Sequence, residues 1–127
     1  MKYEELDLSP FLDNVIIVEG KKDVSSLKAL GFQKVIALHE HSASIRERIE
    51  QITSSLSKSE NIIVLTDNDF RGRKLRSAIK PILQELGLKI NNTLPRLIRK
   101  AGLSHIEGLH QFMNKNESRE DKTSRHL

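Results

Sequence analysis

Two short runs of apolar, mostly β-branched residues constrain the fold of this chain more than any other feature of its sequence. Residues 14–19 are Asn-Val-Ile-Ile-Val-Glu, and residues 61–66 are Asn-Ile-Ile-Val-Leu-Thr. Both runs are continuously apolar rather than alternating, which is typical of strands covered on both faces. Turn residues and then a helical pattern follow each run. The sequence therefore predicts two strand-to-helix units in a buried parallel sheet.

Further elements complete an alternating order. Residues 34–38 predict a strand between the two runs, and residues 88–90 predict a fourth strand. Ser42 or Ser44 can cap a helix that carries Ile45, Ile49, Ile52 and Leu56. The β-α-β-α-β-α order predicts an α/β fold, Rossmann-like, with about four mainly parallel strands and helices on both faces.

Glycine and proline positions predict where the helices end. Gly31 and Gly87 are expected to close the first and third helices, and Pro81 is expected to kink or break the third. A short helix over residues 94–101 is expected to be capped by Thr93 and ended by Gly102. We predict one domain over residues 1–113, with its core at about 14–110, and a polar, disordered tail over 114–127.

Composition excludes several classes of protein. The chain has no Cys, which excludes disulfides, a thiolate zinc site and a cysteine nucleophile. No apolar run approaches the roughly 18 residues of a membrane span, and the first residues are acidic, unlike a signal peptide. We therefore predict a cytoplasmic protein without a membrane partner.

Positive charge is concentrated in one segment. Residues 71–100 hold nine Lys or Arg and a single acid, Glu85, whereas the other residues hold 12 basic and 16 acidic side chains. The net charge of +4 therefore conceals a block of +8. Such a block indicates a polyanionic partner, although a solvated helix face has the same composition.

Three acids follow the predicted strands. Glu19 ends the first run, and Asp67 and Asp69 follow the second. The carboxyl ends of parallel strands meet at one edge of a sheet, where ligands bind. Converging carboxylates repel one another unless a hard cation such as Mg²⁺ lies among them. Alternatively, Glu19 pairs with Lys21 or Lys22, and an aspartate caps the next helix.

The same segments resemble the signature motifs of a known family. Val-Ile-Ile-Val-Glu-Gly-Lys-Lys-Asp (15–23) and Ile-Val-Leu-Thr-Asp-Asn-Asp-Phe-Arg-Gly-Arg-Lys (63–74) are similar to the two motifs of the Toprim domain. That domain occurs in topoisomerases, bacterial-type primases, OLD-family nucleases and the maturase ribonucleases that trim precursor 5S ribosomal RNA. The resemblance covers about residues 14–110, and it is closest to the maturases and to small stand-alone Toprim proteins.

This resemblance implies a chemistry and a set of site residues. It implies that Glu19 is a general acid/base and metal ligand, and that Asp67 and Asp69 bind Mg²⁺, with Mn²⁺ as a substitute. Such a metal would neutralise charge in phosphodiester chemistry. Gly20 and Gly72 would let the backbone approach a phosphate. The cations predicted to contact nucleic acid are Lys21, Lys22, Arg71, Arg73, Lys74 and Arg76.

The chain also departs from its relatives. Arg73 replaces an acid found in many topoisomerase-type members, the only Tyr is Tyr3, and the Cys-based zinc module of primases is absent. Only five aromatic residues are present, so we expect electrostatic and shape-led binding, with structured RNA favoured over DNA.

Weaker candidates surround the predicted site. His39 and His41 flank Glu40 after the second strand, where they could ligate a transition metal or contact substrate, although an exposed loop without a role is the simpler interpretation. Glu107 is a candidate extra carboxylate, whereas Asp23 is expected to brace the first helix. His105 and His110 are interpreted as surface residues.

We therefore predict a Mg²⁺-dependent nuclease or phosphotransferase that acts on nucleic acid, with an RNA-processing endonuclease as the leading hypothesis. The alternative is a non-catalytic accessory subunit that binds nucleic acid and acts with a protein partner or as a homodimer. A third class, phosphoryl-transfer domains such as response-regulator receivers and HAD-type phosphatases, fits less well because the acids follow different strands.

Overall fold

The central layer of the protein is a four-stranded parallel sheet. A computed structural model describes residues 6–39 and 44–114. Its strands are β1 (Val15–Val18), β2 (Lys34–Ala37), β3 (Asn61–Val64) and β4 (Lys89–Ile90). They lie in the order β2-β1-β3-β4, and every neighbouring pair is parallel. The predicted α/β fold with a four-stranded parallel sheet is confirmed.

Helices connect the strands and cover both faces of the sheet. They are α1 (Lys21–Ala29), α2 (Ile45–Thr53), α3 (Phe70–Glu85) and α4 (Thr93–Lys100), and residues 106–114 form the described part of a further helix, α5. A short 3-10 helix (Ser9–Phe11) precedes β1. The sequence analysis did not predict either α5 or the 3-10 helix.

Alternation along β1 divides the core into two layers. All four residues of β1 are buried, because each face of the sheet carries helices. Ile16 and Val18 pack on one face with residues of α1, α4 and α5, among them Leu27, Leu94 and Leu109. Val15 and Ile17 pack on the other face with residues of α2 and α3, among them Ile49, Ile79 and Leu83. The continuous apolar run thus reflects burial from both sides.

The strand order creates a switch point between β1 and β3. From β1 the chain moves outward to β2 on one side, and it then returns to place β3 on the other side of β1. The loops at the carboxyl ends of β1 and β3 therefore lead to helices on opposite faces, which leaves a crevice between them. Glu19 follows β1 and Asp67 follows β3, so both predicted motifs border this crevice.

The helix ends confirm most of the capping predictions. Ser44 caps α2, since its hydroxyl accepts a hydrogen bond from the Glu47 N–H at 3.2 Å. Gly31, Gly87 and Gly102 all have positive φ angles just beyond helix ends. The Thr93 cap is wrong: Thr93 is the first helical residue of α4, and its N–H donates to the Asn91 side chain at 2.8 Å.

Pro81 does not break α3. The helix continues from Phe70 to Glu85 with Pro81 inside it, so the expected break does not occur. Proline removes the N–H that would bond the carbonyl of Ser77. Both residues are exposed, so water can satisfy that carbonyl at small cost.

Some predictions concern parts of the chain beyond these elements. The predicted tail, residues 114–127, lies outside the described residues except for Asn114, which is the last described residue of α5. Across residues 6–39 and 44–114, no helix has the length and apolar character needed to span a membrane. The cytoplasmic location and the single-domain boundary stay predictions.

Candidate metal and nucleic-acid site

Backbone hydrogen bonds beyond the strands hold the edge of the sheet together. The Leu65 N–H donates to the Ile17 carbonyl at 2.9 Å, and the His39 N–H donates to the Glu19 carbonyl at 3.0 Å. These bonds extend the parallel pairing past the strand ends. They align the loop after β1 with its neighbours, so that Glu19 is fixed relative to the segment that follows β3.

The loop between β3 and α3 fixes both aspartates. Asp69 is the N-cap of α3, and its Oδ1 accepts a hydrogen bond from the Gly72 N–H at 2.8 Å. Asp67 is partly buried, and its Oδ1 accepts from the Ile106 N–H at 2.9 Å. Each carboxylate therefore commits one named oxygen to a backbone donor, and its second oxygen remains as a candidate metal ligand.

Gly72 makes this loop possible. A Cβ at residue 72 would lie 1.8 Å from the carbonyl oxygen of Asp67, so only glycine allows the first turn of α3 to pack on the loop. The buried Thr66 hydroxyl donates to the Gly72 carbonyl at 2.8 Å and strengthens the same contact. The predicted role of Gly72 in approaching a phosphate is therefore wrong: its missing side chain accommodates Asp67. The same prediction for Gly20 stays a prediction, because nothing lies within 4 Å of its Cβ position.

His105 joins the site although the sequence analysis interpreted it as a surface residue. The Asn68 N–H donates to the Ser104 carbonyl at 2.6 Å, and Asp67 accepts from the Ile106 N–H. These two bonds attach residues 104–106 to the β3–α3 loop. As a result, His105 Nε2 lies 3.5 Å from Asp69 Oδ2, while its Nδ1 lies 2.8 Å from the Ser104 hydroxyl.

These three side chains form a group with metal-ligand geometry. One ligand atom from each of Asp67, Asp69 and His105 lies within 4.8 Å of the other two. Carboxylate oxygens suit Mg²⁺ and Mn²⁺, and an imidazole nitrogen adds a ligand that transition metals prefer. The donor set thus fits a divalent cation, and the exposed side of the group leaves room for water or substrate oxygens.

Glu19 lies beside that group but is not one of its members. Its Oε1 is 2.6 Å from Arg71 Nη2, in an ion pair whose Arg side chain is 81% exposed and whose Glu side chain is 24% exposed. The alternative pairing with Lys21 or Lys22 is not the one observed. The predicted role of Glu19 as a metal ligand stays a prediction.

Asp23 braces the start of α1, as expected. Its Oδ2 accepts a hydrogen bond from the Gly20 N–H at 3.4 Å, which satisfies a backbone donor at the helix N-terminus. Burial raises the pKa of the Asp23 carboxyl, and the Coulombic effects of Asp67 and Glu19 raise it further, while the bond from Gly20 opposes them. The raised pKa of Asp23 thus reflects mainly its burial, with smaller contributions from the two neighbouring acids.

The six predicted nucleic-acid cations differ in their exposure and in their contacts. Lys21 and Lys22 are exposed at the start of α1, and Lys22 borders a cleft that also contains Asp67 and His105. Arg71 pairs with Glu19, and Arg73 Nη1 donates to the Asn68 carbonyl at 3.4 Å. Lys74 is exposed, whereas Arg76 is half-buried and lines a cleft beside α4.

The remaining candidates differ in their placement. Glu107 lines the same cleft as Lys22 and Asp67, so an additional carboxylate borders the site. His39 is exposed, and the adjoining Glu40 and His41 lie outside the described residues. A second cleft of about 310 Å³ contains Glu19, Asp67, Asp69 and Arg71, so the two predicted motifs share one depression.

Comparison with known proteins agrees with this arrangement. The Toprim domain family matches residues 14–94, a span that contains both motifs and all four strands. The chain therefore belongs to the Toprim family.

Individual relatives come from archaea and bacteria. A UPF0292 protein of Methanosarcina barkeri is 35% identical over 107 residues, which cover 80% of this chain and 70% of the relative. Ribonuclease M5 of Mesoplasma florum is 34% identical over 67 residues, which cover 53% of this chain and 38% of that protein. The solved structure of a protein from Aquifex aeolicus shares the fold, with a TM-score of 0.67, 24% identity, and coverage of 84% of this chain and 93% of that one.

Proposed function

We propose that this protein carries out metal-dependent phosphodiester chemistry on nucleic acid, as an endonuclease that processes structured RNA. The observation that carries this proposal is the convergence of Asp67, Asp69 and His105 within 4.8 Å at the switch point of the sheet. A metal held there would lie where open parallel sheets bind their ligands. Mg²⁺ is the expected cation, with Mn²⁺ as a substitute.

The residues around the group have separable roles in this proposal. Asp67 and Asp69 would hold Mg²⁺, which would supply neutralisation of the charge that develops on the phosphodiester oxygens. Glu19 would accept a proton from the attacking water and later return one to the leaving oxygen. Cations around the site would hold the nucleic-acid backbone: Lys21, Lys22, Arg71, Arg73, Lys74 and Arg76.

The Arg71–Glu19 ion pair makes Arg71 a candidate sensor of substrate. The Arg71 side of the pair is 81% exposed, and ion pairs at a protein surface contribute at most about 1 kcal/mol. A substrate phosphate could therefore attract Arg71 away from Glu19 and free that carboxylate for proton transfer. Arrival of substrate and release of the acid/base group would then be coupled.

The family relationship supports the substrate class. Toprim domains bind divalent metals and act on nucleic acids, and one relative is named Ribonuclease M5. The similarity to that ribonuclease covers about half of this chain and 38% of that protein. Because the similarity is only partial, RNA is proposed as the substrate of this protein.

The same ion pair also favours a second candidate function. Glu19 is occupied by Arg71 and lies outside the ligand group. If that arrangement persists with nucleic acid bound, the protein would be an accessory subunit that binds metal and nucleic acid without cleaving it. Chemistry would then need a protein partner or a second copy of the chain.

A cleavage assay distinguishes the two candidates. Labelled structured RNA and single-stranded DNA would be incubated with wild type, Asp67→Asn and Glu19→Gln, in Mg²⁺, Mn²⁺ or EDTA. Asp13→Asn, at an exposed position outside the site, is the matched control. The endonuclease proposal expects metal-dependent cleavage of RNA by wild type and control, and none by either site variant.

Other outcomes would contradict the endonuclease proposal. Metal-dependent binding without cleavage of any substrate would favour the accessory subunit. Full cleavage by Asp67→Asn would place the chemistry elsewhere in the protein.

A further inference from the structure

A cleft between α3 and α4 concentrates positive charge away from the metal-ligand group. Arg76 and Lys80 lie four residues apart on α3, and Arg96 and Arg99 lie three apart on α4, so each pair projects from one face of its helix. The four cations line a cleft of about 340 Å³, together with Asn92 and Pro95. Among the residues that the structure describes, no acidic side chain lines it.

Within the described part of the chain, the four cations have no carboxylate partner. Among residues 6–39 and 44–114, none of Arg76, Lys80, Arg96 and Arg99 forms an ion pair within 4 Å, whereas Arg46 and Arg71 both do. Burial lowers the pKa of Arg76 and of Lys80, and the neighbouring cations, including Arg99, lower both further. Like charges at this spacing repel one another and destabilise the folded protein. A bound anion would relieve that repulsion, so the convergence of the four cations favours an anion-binding site.

The basic cleft is continuous with the candidate metal site. Arg76 and Arg99 also line a small hollow whose other walls include Thr66, Ser104 and His105. His105 in turn borders the cleft that contains Asp67. Shared residues therefore link the basic cleft to the metal-ligand group along one side of the molecule.

We propose that Arg76, Lys80, Arg96 and Arg99 form a second phosphate-binding site, which holds the nucleic-acid backbone at a distance from the bond that reacts. Arg forks bind phosphate oxygens through two parallel hydrogen bonds, which suits three of the four residues. A polyanion with regularly repeated charges can occupy the cleft and the metal site together. This inference rests on the proposed function, since it assumes a nucleic-acid substrate.

The test is the salt dependence of RNA binding. Fluorescence anisotropy of a labelled RNA hairpin would be measured in EDTA between 50 and 300 mM KCl for wild type and for Arg96→Gln/Arg99→Gln. Both arginines are exposed, so the helix should tolerate the change, which a thermal melt followed by circular dichroism would verify. Lys28→Gln/Lys89→Gln removes the same charge from exposed positions outside the cleft and is the matched control.

The cleft predicts a specific loss in the arginine variant. Each phosphate contact contributes roughly 0.7–0.9 to the slope of log affinity against log salt, so the slope should fall by about 1.4–1.8. Affinity at 100 mM salt should fall on the order of tenfold, while the lysine control stays close to wild type. Polyglutamate should displace the hairpin poorly, because the cleft is assigned to phosphates.

Three results would overturn the inference, and they can be told apart. If the arginine variant matches the lysine control while wild type binds RNA, the cleft assignment fails and the proposed function stands. If polyglutamate competes as well as unlabelled RNA, the cleft binds an acidic protein instead. If wild type binds neither RNA nor DNA, the proposed function fails together with the cleft.

Discussion

The two loops that border the candidate site are built in contrasting ways. After β3, Asp67 and Asp69 each accept a backbone N–H, and Gly72 packs directly on the Asp67 backbone. After β1, the Cβ position of Gly20 faces open space, and the Glu19 side chain pairs with the exposed Arg71 guanidinium.

The two loops therefore differ in how firmly they position their carboxylates before a ligand binds. The β3–α3 loop holds its carboxylates through main-chain contacts, so ligand positions are set before any metal arrives. In the proposed function, the β1–α1 loop would leave its carboxylate free to change partner, as proton transfer requires. A rigid half that binds metal and an adjustable half that transfers protons would then meet at one switch point.

Exchanging each glycine for alanine tests the contrast most strongly. Gly72→Ala places a Cβ 1.8 Å from the Asp67 carbonyl oxygen, and we expect it to lower the free energy of unfolding by about 3 kcal/mol or more. Gly20→Ala meets nothing within 4 Å and should change that free energy by less than about 1 kcal/mol. Urea unfolding of both variants provides the measurement, and similar losses would show that the two loops are equally tight.

Removing the imidazole sharpens the description of the rigid half. His105→Ala deletes the nitrogen ligand but leaves both carboxylates, so we expect Mn²⁺ affinity to fall roughly tenfold and Mg²⁺ affinity to fall less. Isothermal titration calorimetry with each cation measures the two changes. His110→Ala, a change at the histidine within α5, is the matched control. Unchanged affinity for both cations would remove His105 from the ligand group.

The pH dependence of stability tests the raised pKa of Asp23, which lies in the first turn of α1 beside the adjustable half. The pKa of Asp23 is raised in the folded protein. The contribution of this carboxyl to stability is therefore fully present below its pKa in the unfolded chain, about 3.9, and is lost as the pH rises through its pKa in the folded protein. Asp23→Asn should therefore gain stability relative to wild type between pH 3.5 and 7, by less than about 1 kcal/mol, since the side chain is only partly buried. Urea unfolding in EDTA at both pH values measures the difference, and a change of the opposite sign would contradict the pKa direction.

Much of the fold could be predicted because local patterns determine it. Continuous apolar runs marked β1 and β3 as strands buried on both faces, and the glycines at 31, 87 and 102 marked the helix ends. Strand order then brought Glu19, Asp67 and Asp69 to one edge, as parallel topology requires.

The remaining features depend on tertiary contacts that no local pattern encodes. His105 reaches the site through backbone bonds at Ser104 and Ile106, which lie far along the chain from Asn68 and Asp67. The packing of Gly72 on Asp67 and the approach of α4 to α3 likewise depend on tertiary packing. Because α5 was not predicted, the sequence offered no local signal that would place His105 at the site.

The most direct test of the central claim is a calorimetric titration of Mg²⁺ and Mn²⁺ into wild type, Asp67→Asn and Glu19→Gln. Because even supporting residues of metal sites contribute 10–100-fold, loss of the Asp67 ligand should weaken binding at least about 100-fold. Glu19→Gln should retain affinity within about threefold, since Glu19 lies outside the ligand group. Equal losses in the two variants, or undiminished binding by Asp67→Asn, would contradict a metal site built by the β3–α3 loop.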